Sequence, residues 1–294
     1  MRKTHDITGA KEIPAALALR KRLLEQAGLP PEQVRERLLG EVAEALTDSR
    51  AEAESPPRPQ RPDNLGFDHA EALSGPLMDD AARLYSVLNP PTSLGVGLTI
   101  QFISANPGEG TSTLARAFAL VATTHAHGHV LLLDMDWVRN SQFDFFSDPA
   151  HQRVYGTPGQ PVDLGIDPGM VVRTQGGGFA SPVTVHPIGG SNLLVSRYSG
   201  SGAPALSNNA VFWQDLRRSV AMCVVDSQPT SRSMDGIVLC GGMDAVVLVV
   251  EAEATRIPVV EALRDKMLSH GANVVGVVFN KRRFYIPKRI YKWI

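Results

Sequence analysis

Residues 98–113 read Leu-Thr-Ile-Gln-Phe-Ile-Ser-Ala-Asn-Pro-Gly-Glu-Gly-Thr-Ser-Thr. The first seven, Leu98 to Ser104, form an apolar strand pattern. A glycine-rich turn follows, and Ser112 to His125 then has helical character. Strand, glycine-rich turn and helix in that order make a phosphate-binding loop. Gly108 and Gly110 allow backbone amides to turn towards an anion at the helix N-terminus. A full loop of this type ends Gly-Lys-Ser/Thr. Here Gly110 is followed by Thr111, Ser112 and Thr113. The cradle is kept, with Glu109 inside it, and Ser112 supplies the hydroxyl that normally reaches magnesium. The lysine that meets the phosphates is replaced by Thr111. Taken alone, the stretch also fits a glycine-rich turn that binds nothing.

The rest of the chain weighs against that second reading. Val130 to Leu133 is a buried-strand pattern ending in Asp134-Met135-Asp136. Met222 to Val225 ends in Asp226, then Ser-Gln-Pro, with Asp235 further on. Ala245 to Val250 and Val274 to Phe279 are two more such strands, the latter followed by Asn280-Lys281. Helical stretches are expected over Met78 to Leu88 and Val259 to His270, the second stopped by Gly271. Buried strands alternating with helices predict an α/β fold: a doubly wound, mostly parallel sheet covered on both faces. In such sheets ligands bind outside the carboxyl ends of the strands. Polar groups collect at those ends here. Carboxylates there suit magnesium, which prefers hard oxygen ligands. The expected ligand is ATP or ADP with Mg²⁺.

Composition narrows the class. The chain has 294 residues, 43% hydrophobic content and a formal net charge of −1, so nothing draws it generally to nucleic acid. Its two cysteines, Cys223 and Cys240, adjoin apolar runs and suit a reducing cytoplasm rather than a disulfide framework. No apolar run approaches the ~20 residues that span a bilayer. A cytoplasmic protein is expected, peripheral at the inner membrane if a partner or its C-terminus holds it there. Residues 1–54 predict a helical N-terminal extension, in which Val34, Leu38, Leu39, Val42 and Leu46 share one face. Such a stripe either closes a helical hairpin or docks to a partner. Residues 55–75 form a linker, with four prolines within 55–63. The nucleotide-binding domain is placed at 76–280. Within it, 147–210 is rich in Gly, Pro and Ser and is expected to be long loops with a few short elements. His125, His127 and His129 suggest a solvated turn more than a metal cluster. Phe143, Phe145, Phe146 and Trp213 are expected in the core or an interface.

Three runs carry a family resemblance: Ile103 to Ala119, the Leu-Leu-Leu-Asp-Met-Asp of 131–136 and the Val-Val-Asp-Ser-Gln-Pro of 224–229. Together they resemble the bacterial tyrosine kinases of the polysaccharide co-polymerase systems. Those belong to the deviant-loop ATPases, which include the cell-division and plasmid-partition ATPases. The likeness spans roughly 76–294. Pro-Gly-Glu-Gly, Arg139 after the paired aspartates, and Asp235 nine residues after Asp226 resemble the kinase branch. The resemblance implies Ser112, Asp134 and Asp226 as magnesium ligands. It implies Asp134, Asp136 and Asp226 as catalytic carboxylates, and Gly108 to Thr113 around the phosphates. Asn280 is implied at the adenine. It further implies work in exopolysaccharide, capsule or holdfast-type synthesis and export, beside a transmembrane co-polymerase on a separate chain and with possible self-assembly.

The chain departs from that pattern at Thr111, at Ser227-Gln228 in place of Thr-Pro, and in the helix of residues 78–88. There Asp80, Arg83 and Ser86 fill the positions of a Glu-x-x-Arg-x-x-Arg oligomerisation motif. Phosphoryl transfer is chiefly positioning and charge stabilisation. Losing the lysine forfeits about 2–4 kcal/mol, roughly 10- to 1000-fold in rate. The expectation is a degenerate kinase. The alternatives are an active autokinase with a substitute cation, for which Arg116 and Arg139 are candidates, and a positioning ATPase of the partition type. The tail, 281–294, holds six cations, no acids, and Phe284, Tyr285, Tyr291 and Trp293. It suits a basic end packed on the domain, attachment to an anionic membrane surface, or phosphoacceptors at Tyr285 and Tyr291.

Overall fold

The computed structural model describes residues 74–88, 97–167, 171–173, 182–201 and 204–282. The expected N-terminal extension, the proline-rich linker, and Tyr285 and Tyr291 of the tail lie outside the described residues. The α/β unit comprises Leu65–Ser86 and Thr92–Ile294.

Its centre is β1 (Leu98–Ser104), with every residue buried. A strand covered on both faces is expected to be apolar throughout; β1 departs at Thr99 and Gln101, which are buried with their side chains hydrogen-bonded to Asp244 and Ser227. On one side β1 pairs in parallel with β7 (Met222–Asp226), and on the other with β8 (Ala245–Glu251). Beyond β7 lies β2 (Val130–Asp134), and beyond β8 lies β9 (Val274–Asn280), both parallel. With β4 (Val183–Pro187) and β5 (Leu193–Tyr198) added, the seven-stranded order is β4-β5-β2-β7-β1-β8-β9. The strand spans extend the sequence expectations by one residue or so at the polar ends, where the chain leaves the sheet.

Two of these strands fall in the stretch expected to be mostly loops. β5 (Leu193–Tyr198) runs parallel to β2, and β4 (Val183–Pro187) closes the edge antiparallel to β5. A two-residue ribbon, β3 (Val172–Arg173) with β6 (Ala205–Leu206), lies outside the main sheet.

Seven described α-helices accompany the sheet, six of them before β8. Those six are α1 (Pro76–Leu88), α2 (Thr111–His125), α3 (Ser141–Ser147), α4 (Pro149–Tyr155), α5 (Ala210–Ser219) and α6 (Asp235–Leu239). A seventh, α7 (Ile257–Ser269), crosses from β8 to β9. The helix α2 packs its small side chains, Ala115, Ala117, Ala119 and Ala122, tightly inward, all almost wholly buried. Phe118 is fully buried, its ring tilted against that of Phe102 of β1 at 5.2 Å. His125, at the end of α2, stacks on Tyr85 of α1 at 4.7 Å. Trp213 and Phe146 are fully buried, and the indole of Trp213 donates to Asn208 at 2.9 Å. Both cysteines are buried free thiols. Among the described residues no helix is long and apolar enough to cross a membrane.

Candidate nucleotide-phosphate site

The topology brings the carboxyl ends of β1, β7 and β2 side by side, because β7 inserts between β1 and β2. The turn after β1 therefore faces the two aspartate-bearing ends directly. Gly108 and Gly110 have φ of +84° and +92°, the left-handed region that glycine enters without a Cβ penalty. Gly110 caps α2, and Leu114 N–H donates to its carbonyl at 3.0 Å. The N–H groups of the first helical turn have no intrahelical acceptor and carry the positive end of the helix dipole. A pocket of about 360 Å³ opens above them. Gly108, Thr111, Ser112, Asp134, Asp136 and Asp226 all line it.

The loop is braced from behind. Glu109 is almost fully buried. Its carboxylate accepts from Asn106 N–H at 2.9 Å and from the Thr255 hydroxyl. Asn280 donates its amide to the Glu109 carbonyl at 2.8 Å, and its Oδ1 accepts from Lys281 N–H at 2.9 Å. A Cβ added at Gly110 would fall 2.0 Å from the Asn280 amide nitrogen, so glycine is the residue this approach permits. Asn280 thus stands against the loop's own backbone.

The carboxylates differ in what they have left to offer. Asp134 spends both oxygens on the protein. Oδ1 accepts from Asp136 N–H at 2.8 Å; Oδ2 accepts from Gln142 N–H at 2.7 Å and Ser141 Oγ at 3.1 Å. Asp136 pairs with Arg139, whose Nε donates at 2.7 Å. Asp226 accepts from Gln142 Nε2 at 2.7 Å and interacts with the Ser112 side chain, while its Oδ1 is buried without a hydrogen-bond partner. Burial pushes the Asp226 carboxyl up, and the nearby Asp134 charge pushes it further. Asp134 is raised for the first of these reasons too, against the pull of its donors. Two acids in a dry place with too little positive charge are poised to accept a cation.

Thr111 is 6% exposed and its Oγ1 has no partner. Ser112 is half-buried and lines the same pocket. Two orphaned polar atoms, Thr111 Oγ1 and Asp226 Oδ1, thus belong to residues lining a pocket at a helix N-terminus. Hard oxygen donors near such a terminus fit a magnesium-bound polyphosphate.

Sequence reasoning did not identify Gln142. It is fully buried and joins three elements. Its Nε2 donates to Ser112 O at 2.9 Å as well as to Asp226, and its Oε1 accepts from Arg116 Nε at 2.8 Å. Arg116 lies over the Phe145 ring, its guanidinium carbon 3.5 Å from the centroid. Burial lowers its pKa to about 10, opposed by the charges of Asp226, Tyr155 and Asp134. Of the two substitute cations expected from sequence, Arg116 is therefore engaged with Gln142 and Phe145, and Arg139 lines the pocket but is tied to Asp136. Asp235 accepts from the Trp137 indole at 3.1 Å and anchors the start of α6. Ser227 accepts from Gln101 Nε2 at 2.8 Å, inside the sheet.

No protein-family model matches the chain, and no curated protein does either. Solved structures do. The chimerical protein CapA2B2 matches at 19% identity with a TM-score of 0.50, covering 75% of this chain and 95% of that one. The kinase domain of the Escherichia coli tyrosine kinase ETK matches at 16% identity and TM-score 0.48, covering 79% and 86%. The VpsO kinase domain matches at 20% and 0.44, covering 73% and 95%. At these identities the likeness is one of fold. The seven-stranded, mostly parallel sheet with its loop after β1 is the α/β fold of the P-loop nucleotide triphosphatases.

Proposed function

We propose that this chain binds a magnesium nucleotide and is a degenerate relative of the bacterial tyrosine kinases, a pseudokinase of an exopolysaccharide or capsule export system. The carrying observation is Thr111. It stands buried and unpartnered in a phosphate-loop pocket whose glycines, Ser112 and Asp226 are kept. Such a pocket retains the backbone dipoles and a seat for the metal. It lacks the charge that the loop lysine brings to the transferring phosphoryl group. Binding survives that loss better than turnover, because charge stabilisation of the transition state is most of the catalysis. Nucleotide binding then serves assembly and chain-length control, with a separate transmembrane co-polymerase as partner at the inner membrane. The polysaccharide role and the partner rest on the resemblance of the loop and aspartate runs, and the fold agrees with it.

Radiolabelled ATP with Mg²⁺, given to the purified chain and to a Thr111→Lys variant, tests the reading. The unmodified chain is expected to bind ATP in a magnesium-dependent way with little phosphotyrosine formed. Thr111→Lys is expected to raise turnover by roughly 10- to 1000-fold. Robust tyrosine autophosphorylation by the unmodified chain overturns the pseudokinase, and absence of any binding overturns the nucleotide site itself.

A further inference from the structure

Four cationic side chains stand in or near the pocket, and three are occupied. Arg139 is clamped to Asp136 at 2.6 Å. Lys281 is paired with Glu251 at 3.2 Å. Arg116 is spent on Gln142 and on the face of Phe145. The fourth, Arg232, lines the pocket, is exposed, and its guanidinium has no hydrogen bond or ion pair among the described residues.

The turn that carries Arg232 is fixed to the phosphate loop. Thr230 N–H donates to Ser104 O at 3.0 Å, and Ser231 N–H to Ala105 O at 3.1 Å. Arg232 N–H then closes the turn on Pro229 O at 2.8 Å. Two backbone bonds to the first residues of the loop therefore hold the base of Arg232 against the loop, while the side chain is left free.

Building on the nucleotide-site reading, we infer that Arg232 supplies the cation that Thr111 lacks, by meeting the outer phosphates of the bound nucleotide. A guanidinium offers several donors in a planar fork and binds phosphate oxygens in pairs. It reaches the phosphates from the β7 side, whereas a loop lysine would reach them from the helix. This placement supports binding of the charged end of the nucleotide. It does not reproduce the lysine's position along the line of phosphoryl transfer, which agrees with a chain that holds ATP and turns it over slowly.

The experiment is titration calorimetry of ATP and AMP, with Mg²⁺, on the full chain and on Arg232→Ala, Arg232→Lys and the double variant Arg232→Ala/Thr111→Lys. Thermal melting of each variant without nucleotide reports folding. Arg232→Ala is expected to weaken ATP by about 10- to 100-fold, the scale of a lost hydrogen bond to a charged group. AMP affinity and the melting temperature are expected to stay as they were. Arg232→Lys should keep most of the ATP affinity, and the double variant should recover it. Equal ATP affinity for the unmodified chain and Arg232→Ala overturns the inference and leaves the nucleotide site standing. So does a loss of ATP binding that Thr111→Lys fails to restore in a variant with unchanged melting. An unmodified chain that binds neither nucleotide overturns the site and the inference together.

Discussion

Asp244, at the entry to β8, and Asp226, at the exit of β7, sit at opposite ends of the two strands that flank β1, both buried, and the protein treats them differently. At the entry end, Asp244 Oδ2 accepts from Thr99 N–H at 2.8 Å, Thr99 Oγ1 at 2.7 Å and Arg217 Nε at 2.8 Å. Arg217 adds bonds to Gly242 O at 2.6 Å and to Thr99 Oγ1 at 3.0 Å. At the exit end, Asp226 has only neutral donors, the Gln142 amide and the Ser112 hydroxyl, and has Asp134 close by. Each carboxylate keeps its Oδ1 unpartnered, so the count of missing bonds does not separate them. Charge does. Asp244 has its arginine in direct contact, whereas Asp226 feels Arg116 only at a distance, through Gln142, and touches no cation among the described residues. A buried acid in contact with its own arginine is architecture; a buried acid with no cation in contact has room for one.

The largest expected effect breaks the first half of that comparison. Arg217→Ala would leave Asp244, whose side chain is 0% exposed, charged and uncompensated. Removing one partner of a buried pair costs about 3–5 kcal/mol. Urea unfolding measures it. A loss much under 1 kcal/mol would mean that Asp244 is solvated well enough to need no counter-ion.

Next in size is Asp226→Asn, with the opposite sign. The folded-state pKa of Asp226 is raised above its unfolded value near 3.9. The folded protein therefore binds a proton more tightly than the unfolded chain. This group's penalty is complete above the folded pKa and fades as pH falls through the folded pKa towards the unfolded one. Without Mg²⁺, Asp226→Asn is expected to stabilise the chain by about 1–2 kcal/mol at slightly alkaline pH, and to flatten the gain the wild type shows on acidification. Adding Mg²⁺ with ATP should raise the melting temperature of the wild type and not of the variant. A destabilised variant that still responds to Mg²⁺ would place the cation elsewhere.

How much of this was legible beforehand follows from where the signals lie. The inner strands were legible because β2, β7 and β8 are apolar runs with polar residues at their exits and β1 is broken only by Thr99 and Gln101; Val274–Asn280 has the same apolar pattern but, as the edge strand β9, is largely exposed rather than buried as expected. The phosphate loop was legible from its glycines, and Asp134, Asp136 and Asp226 were placed together by the rule for strand ends. The edge strand β4 and its neighbour β5 were not, because their short runs stand among Gly, Pro and Ser. Val183–Pro187 also interleaves buried with half-buried residues as edge strands do. Gln142 had no signal. A glutamine on a short helix looks like a surface residue until the helix is docked. The fate of Arg116 also depended on the rotation of α2 about its axis, which turned it towards Gln142 and Phe145. Arg232 was hidden because its role comes from the backbone bonds of its turn, not from its neighbours in sequence.

The smallest expected effect sharpens the comparison at equal chemistry. Arg139–Asp136 and Arg217–Asp244 are both arginine–aspartate pairs with short contacts, 2.6 and 2.8 Å. The side chains of the first are 61% and 11% exposed, and those of the second 14% and 0%. Water can replace Arg139 beside Asp136, and Asp136 would still have Arg139's own backbone N–H at 3.3 Å and Gln228 Nε2 at 3.4 Å. Arg139→Ala is therefore expected to cost about 1 kcal/mol or less, with the loss shrinking further in high salt. Urea unfolding at two salt concentrations, run beside Arg217→Ala, makes the measurement. A loss equal to that of Arg217→Ala would show that the pocket is drier than its exposure implies. The contrast between the two ends of the sheet would then rest on the number of cations alone, and not on their access to water.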